Sequence, residues 1–245
     1  MSRVEEIKAK IKERGYWEIV FKPNPTQYQE RKFTHEQLRQ WLEKYQVRYR
    51  GWYYPHFSDS TDFGDYYNVQ GYVESYVHWG SSVEIFRFYQ SGQFIHYMGM
   101  QEDRLDDHPP FFVQWREDMQ KPLPGQLFLE PTITLYQLTE IFLFASDLAS
   151  EGVFGDHVEI SIKLHNMNHR VLKSLDRLRT PFHAYECHTE VIEIGPLTMT
   201  PEELKLEHDK LAINKTIEIL SLFGFTSEHI RKVFEDDQKK FYERR

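Results

Sequence analysis

The chain has 245 residues, a formal net charge of −8, and 40% hydrophobic and 16% aromatic residues. That apolar content suffices for a sizeable core and excludes intrinsic disorder, while the acidic balance argues against a dedicated, sequence-independent DNA binder. The single cysteine, Cys187, excludes an intramolecular disulfide and fits a reducing compartment. The longest apolar run, Ile141 to Ala145, falls far short of the ~20 residues that cross a bilayer, and the charged opening carries no leader. A soluble, cytoplasmic protein with no membrane partner is expected. Charge is uneven: residues 1–50 hold 12 Lys/Arg against 7 Asp/Glu, and residues 51–199 hold 9 against 21. A basic amino-terminal end on an acidic body could hold an acidic partner, or could be a solvated helix.

Val4, Ile7 and Ile11 keep helical spacing, so residues 2–14 read as a short helix ending at Gly15. YWEIVFKP is aromatic and β-branched and stops at a proline, as a strand does. THEQLRQWLEKYQ opens with the capping-box pair Thr34 and Gln37 and places Leu38, Trp41, Leu42 and Tyr45 on one helical face. VRYRGWYY and YVESYVHW look like strands, joined by a polar connection, SDSTDFGDYYN. Residues 109–131 lack a clean period and read as an irregular loop. TITLYQLTEIFLFASDLAS is a helix with Gly152 just past its end. HVEISIKL and AYECHTEVIEIG read as strands, and HRVLKSLDRLRTP as either a basic helix or a strand and loop. Thr200, Pro201 and Glu203 announce a further helix, and a last charged helix begins at Thr226. Together these predict an α+β domain over residues 1–245. A mostly antiparallel, aromatic-rich sheet is flanked by helices at both termini and one in the centre, and any division would fall near residue 131.

Ser91-Gly92 sits between two alternating runs, EIFRFYQ and QFIHYMG, as a two-residue hairpin turn would. Such a turn opposes Tyr89 to Phe94 and Arg87 to His96. Phe86, Phe88, Ile95 and Tyr97 then form a core face, and Ile85, Arg87, Tyr89, Phe94, His96 and Met98 share the other. Arg and His resist unpaired burial, so the second face is expected to be wet or covered by something that supplies acceptors. Its rings could stack bases while Arg87 holds phosphate; the structural alternative has Arg87 on Tyr89 and paired with Glu74 or Glu84. A one-residue shift in the turn would exchange the two faces. The same mixture recurs as Arg48, Arg50, Trp52, Tyr54 and His56 in VRYRGWYYPH, and as Tyr72, Glu74, Tyr76 and His78 in the next strand.

Candidate chemistry is less specific. His56, Asp59, Asp62 and Asp65 miss the calcium-loop spacing because Phe63 stands where an oxygen donor is needed. Glu102, Asp103, Asp106, Asp107 and His108 could serve a metal-dependent nuclease, or could be a solvated acidic loop. His183, Cys187 and His188 are soft ligands, but adjacent strand residues point to opposite faces and do not easily share one zinc. His169, Arg170, Lys173 and Arg177 gather positive charge suited to phosphate or to solvent. No glycine-rich phosphate loop, nucleophile elbow or His-Glu-x-x-His is present.

RGYWEIVFKP, RGWYYPH, EIFRFYQSGQFIHY followed by a nearby Glu-Asp, and the late EILSLFGF occur in an order that resembles an uncharacterised bacterial and archaeal domain. In other proteins that domain follows a Schlafen-type, Alba-like DNA-binding domain. The resemblance covers roughly residues 14–225 and implies a nucleic-acid-linked or antiviral defence context, with this chain as a sensing or interaction module. Motifs of the preceding domain are not in this sequence, so none of its activity is carried over, and no catalytic residues are implied.

The expectation is therefore a non-enzymatic binding module without a cofactor or metal. Arg48, Arg50, Arg87 and His96 beside Trp52, Tyr54, Tyr89 and Phe94 would present one sheet face to a nucleic acid, a nucleotide or a protein partner. The alternatives are a metal-dependent nuclease or phosphohydrolase using the Asp/Glu/His loops, and a structural subunit of a larger complex.

Overall fold

The computed structural model describes residues 2–25, 30–51, 53–57, 64–79, 82–105, 125–176, 179 and 184–243. These residues contain nine strands and five α-helices. Helix α1 (Arg3–Lys12) is capped by Ser2, whose hydroxyl accepts from the Glu5 N–H, and carries Glu5 and Glu6 at its start and Lys10 and Lys12 at its end, as the macrodipole favours. Strand β1 (Tyr16–Pro23) and helix α2 (His35–Tyr45) follow, the latter with both arms of the Thr34–Gln37 capping box made. Then come β2 (Gly64–Val69), β3 (Tyr72–Trp79), β4 (Ser82–Tyr89) and β5 (Phe94–Gly99), a 3-10 turn (Gln101–Arg104) and β6 (Phe128–Leu129). Helix α3 (Pro131–Ser150) begins at Glu130, whose carboxylate accepts from the Ile133 N–H at 2.6 Å. Strands β7 (Val158–His165), β8 (Val171–Leu172) and β9 (Val191–Met199) precede α4 (Pro201–Ser221), opened by the Thr200–Glu203 capping box, and α5 (Ile230–Tyr242).

Seven strands form one antiparallel sheet in the order β2-β3-β4-β5-β1-β7-β9, and β6 pairs with β8 in parallel. The α+β class expected from consecutive strands lying between helices holds. Strand β1 lies between β5 and β7, so the first strand of the chain stitches the hairpin strands to the later ones. Helices α2 to α5 pack on one face through Leu38, Leu42, Phe142, Phe144, Leu204, Ile213, Phe234 and Phe241. Against them lie Trp17, Ile19, Phe21, Phe86, Phe88, Phe94, Ile160, Ile162 and Ile194. Helix α1 covers one end of the opposite face, with Ile7 and Ile11 on Tyr16, Val83 and Ile85.

Several elements depart from expectation. VRYRGWYY makes no strand: the described part contributes a single bridge, Val47 to Tyr54, because Gly51 turns the chain at φ +75° and Pro55 removes the next donor. Conversely, GDYYNV in the supposed connection is β2. AYECHTEVIEIG is a strand only from Val191, since Glu186 makes just one bridge, to Val171. HRVLKS resolves into β8 and loop, and α5 starts four residues later than expected.

The hairpin correction matters most. Tyr89 N–H donates to Gln93 O at 2.8 Å and Gly92 N–H to Tyr89 O at 2.9 Å, which closes a three-residue loop with Gly92 at φ +91°. This is the turn-plus-bulge geometry for which glycine in the left-handed region is suited. The register becomes Phe88 to Phe94, Arg87 to Ile95 and Phe86 to His96, one residue from the two-residue alternative. Tertiary contacts enforce it: the backbone of Gln90 is held by Gly71 O and by the N–H groups of Lys32 and Phe33, and a β-carbon on Gly92 would meet Val153 O at 2.6 Å. Phe94 and His96 thereby join Phe86 and Phe88 on the helix-covered face, while Arg87 and Tyr89 lie on the other.

Candidate functional site

The helix-covered face is apolar except over the far ends of β4 and β5, where a seam of ionisable groups replaces hydrocarbon. His96 is fully buried, and its Nε2 donates to Glu84 Oε2 at 2.8 Å. The Tyr54 ring lies 5.5 Å from the His96 ring, and burial aided by Glu84 and Glu140 raises its phenol well above the usual value. His56 nearby is pushed toward the neutral form by burial, with Glu84 opposing. Arg50 enters from the 46–57 segment and makes a two-pronged pair with Glu140 of α3: Nε donates to Oε1 at 2.8 Å and Nη2 to Oε2, with Nη2 also donating to Gln137 Oε1 at 2.9 Å.

The seam continues toward the start of α3. Glu102 is buried, and one of its carboxylate oxygens lies 3.3 Å from the Glu130 N–H that donates to it. Burial is the main reason that Glu102, Glu130 and Glu140 all hold their protons to higher pH than usual, Glu130 up to about 7. Deeper still, Arg170 is fully buried and all three of its nitrogens donate: Nη1 to Asp103 Oδ1 at 2.6 Å and to Phe128 O at 3.1 Å, Nη2 to Asp103 Oδ2, and Nε to Asn166 O at 2.8 Å. Asp103 also accepts from the Gly15 N–H at 2.7 Å, so this pair pins the α1–β1 corner to β6 and β8. A cavity of about 10 Å³ lies among Arg50, Tyr54, Glu84, Gln101, Gln137 and Glu140, room for one water. The Tyr54 hydroxyl, His96 Nδ1 and Gln137 Nε2 have no hydrogen-bond partner among the described residues.

The predicted binding residues do not assemble as expected. Arg48 is exposed and stacks over Tyr53 at 4.7 Å. Arg50, Tyr54 and His96 turn into the seam, and Phe94 is core, with ring centroids of Phe21, Phe86, Phe88 and Phe144 between 5.2 and 5.8 Å away. Trp52 lies outside the described residues, as do Asp59, Asp62, Asp106, Asp107, His108, Arg177 and His183. Only Arg87 and Tyr89 stay together on a solvated surface. The basic cluster also divides: Arg170 turns inward to Asp103, Lys173 is mostly buried and donates to Gln126 Oε1 at 3.1 Å, and His169 faces outward. Glu130 and Glu140 escaped the sequence reading, although Glu140 left a signal: a carboxylate amid the apolar run of α3.

A second surface is built by the same register. On the face opposite α2 to α5, Tyr72 pairs with Tyr89 and Glu74 with Arg87 across β3 and β4, and Tyr67 of β2 stands beside Glu74. The Tyr72 and Tyr89 rings lie 5.1 Å apart, and the Arg87 guanidinium sits 5.0 Å over Tyr72 while its Nε donates to Glu74 Oε2 at 2.5 Å. Tyr67 and Tyr76 stack at 6.3 Å. Burial of Glu74 contrasts with partial exposure of Arg87 and its tyrosines, so the ion pair is anchored at its root and wet at its rim. No described helix is long and apolar enough to cross a membrane. Compared with protein-family models, with curated proteins and with solved structures, the chain matches none.

Proposed function

We propose that the protein is a non-enzymatic binding module whose working surface is the tyrosine-rich outer face of β2 to β4, and that its partner is a protein. One observation carries this reading. Tyr72 and Tyr89 flank the partly exposed Arg87, and Tyr67 stands beyond its partner Glu74, on the sheet face that α2 to α5 leave uncovered, with Tyr76 at the edge where α1 packs. Tyrosine and arginine are the residues in which interface binding energy concentrates, because each offers a large, nearly rigid contact area with a polar handle. The charge balance favours a protein over nucleic acid: Glu74 already engages Arg87, and the body of the chain between residues 51 and 199 carries 21 Asp/Glu against 9 Lys/Arg. A phosphate backbone calls for the opposite excess. The resemblance to the domain that follows Schlafen-type domains supports a sensing role within a nucleic-acid-linked or antiviral system.

The test is purification without nuclease, followed by absorbance ratio and mass spectrometry of whatever co-elutes, for the wild type and for Arg87→Ala and Tyr89→Ala. The expected result is one stoichiometric protein that is lost from both variants while their melting temperatures stay within a few degrees of wild type. Co-eluting nucleic acid would overturn the choice of partner, and variants that keep the protein would overturn the surface. A second reading, an acid–base enzyme at the seam, is favoured by the Glu130 carboxyl, poised near neutrality beside Glu102. Cleavage of labelled RNA or DNA, abolished by Glu102→Gln in a protein that still folds, would support it.

A further inference from the structure

The segment after β7 and the segment before β9 run side by side and are tied together along their backbones. His169 N–H donates to Cys187 O at 2.8 Å, Cys187 N–H to Arg170 O at 2.8 Å, Leu172 N–H to Tyr185 O at 2.9 Å, and Met167 N–H to Glu190 O at 3.0 Å. Cys187 is fully buried, so the side chains on either side of it, Glu186 and His188, emerge on the outer surface. His169 is delivered to the same spot by a left-handed backbone, φ +63°, a conformation that costs a non-glycine residue about 1 kcal/mol or more. Its Nδ1 donates to Glu186 Oε1 at 2.7 Å, and His188 Nδ1 lies 4.0 Å from that same oxygen.

We propose that His169, Glu186 and His188 form a binding site for a divalent transition-metal ion of the zinc class. One ligand atom from each residue lies within 4.8 Å of the other two. Zinc at its usual bond lengths of about 2.0–2.2 Å asks for tetrahedral donors roughly 3.4 Å apart, so closure needs ring and carboxylate movements on the order of 1 Å. The side chains are free to make them, with His169 and His188 more than two-thirds exposed, while the backbones that set their direction are locked. Binding moves the His169 proton off Nδ1, to Nε2 of the same ring or to solvent, exchanges the His169–Glu186 hydrogen bond for two metal bonds and adds His188, leaving a further coordination position for water. Two imidazoles and one carboxylate suit zinc, cobalt or nickel; a single carboxylate is too few hard oxygens for calcium or magnesium. The site joins residue 169 to residues 186 and 188, so occupancy would add a clamp to two segments already tied by backbone hydrogen bonds and by the His169–Glu186 contact. Of the soft ligands that the sequence offers, His188 belongs to this site, Cys187 is buried beneath it, and His183 lies outside the described residues.

The experiment uses the full chain stripped with a chelator, titrated with zinc alone by calorimetry and with cobalt by visible absorption. His169→Asn is the variant of choice because Asn tolerates the left-handed backbone, and His188→Gln removes the second ring at an exposed position. Expected are one equivalent bound by the wild type, a loss of about tenfold or more in each single variant, and a zinc-induced rise in melting temperature that the double variant lacks. Metal-free melting temperatures equal to wild type certify that the variants are folded. A wild type that binds no zinc, or a folded double variant that binds one equivalent with wild-type affinity, would overturn the assignment.

Discussion

Glu140 of α3 offers the sharpest test of the buried seam. Its carboxylate is sealed and supplies two acceptors to Arg50, which is itself only 15% exposed and whose other acceptor in this pair is Gln137. Replacing Glu140 by leucine keeps the volume close but strands the guanidinium with one hydrogen bond to Gln137. Removing one member of a buried pair costs about 3–5 kcal/mol, since the remaining charge is desolvated without compensation. For a chain of this size that corresponds to a fall of roughly 6–20 °C in melting temperature. The paired substitution Arg50→Met with Glu140→Leu leaves no orphan and should recover most of the loss, because well-packed apolar replacements of a buried pair are often neutral or stabilising. Urea denaturation of the two single variants and the double variant, read as a double-mutant cycle, separates the terms. If Glu140→Leu costs less than about 1 kcal/mol, Arg50 is solvated and the seam is a surface feature. If the double variant is less stable than both singles, charge pairing is not what holds these positions.

The pH dependence of stability should carry the mark of Glu130, whose carboxyl is held at about 7 by burial against an ordinary 4.5. Between those values the folded protein retains a proton that the unfolded chain has released, so stability is full below pH 4.5 and falls as pH rises toward 7. The loss from this group is about 3 kcal/mol, and Glu130→Gln should flatten that part of the profile while keeping an acceptor for the Ile133 N–H. An unchanged profile would place Glu130 in contact with water. Phe94→Ala checks the hairpin register: a ring enclosed by four phenylalanines should cost about 3–5 kcal/mol, measured by the same denaturation, whereas a surface stacking ring would cost little.

Local patterns in the sequence determined most of the elements. The Thr34–Gln37 and Thr200–Glu203 capping boxes, the apolar stripe of α3 and the alternation in β1, β3 and β7 are short-range signals that need only neighbouring residues, and the α+β class follows from them. Much less of the candidate site was legible. Tyr72, Glu74 and Tyr76 were recognised as one face of a strand, and the pairing of Arg87 with Glu74 was among the alternatives. The seam is not legible there, because its members come from six separated segments, and only Glu140 breaks its local pattern. The hairpin shows what tertiary structure alone decides. Whether Ser91-Gly92 closes a two- or a three-residue loop is a choice of small local energy, and it is settled by Gln90 bonding to Gly71, Lys32 and Phe33 and by Gly92 pressing on Val153. Since side chains alternate at every residue, that one-step choice carried Phe94 and His96 into the core and left Arg87 with the tyrosines outside.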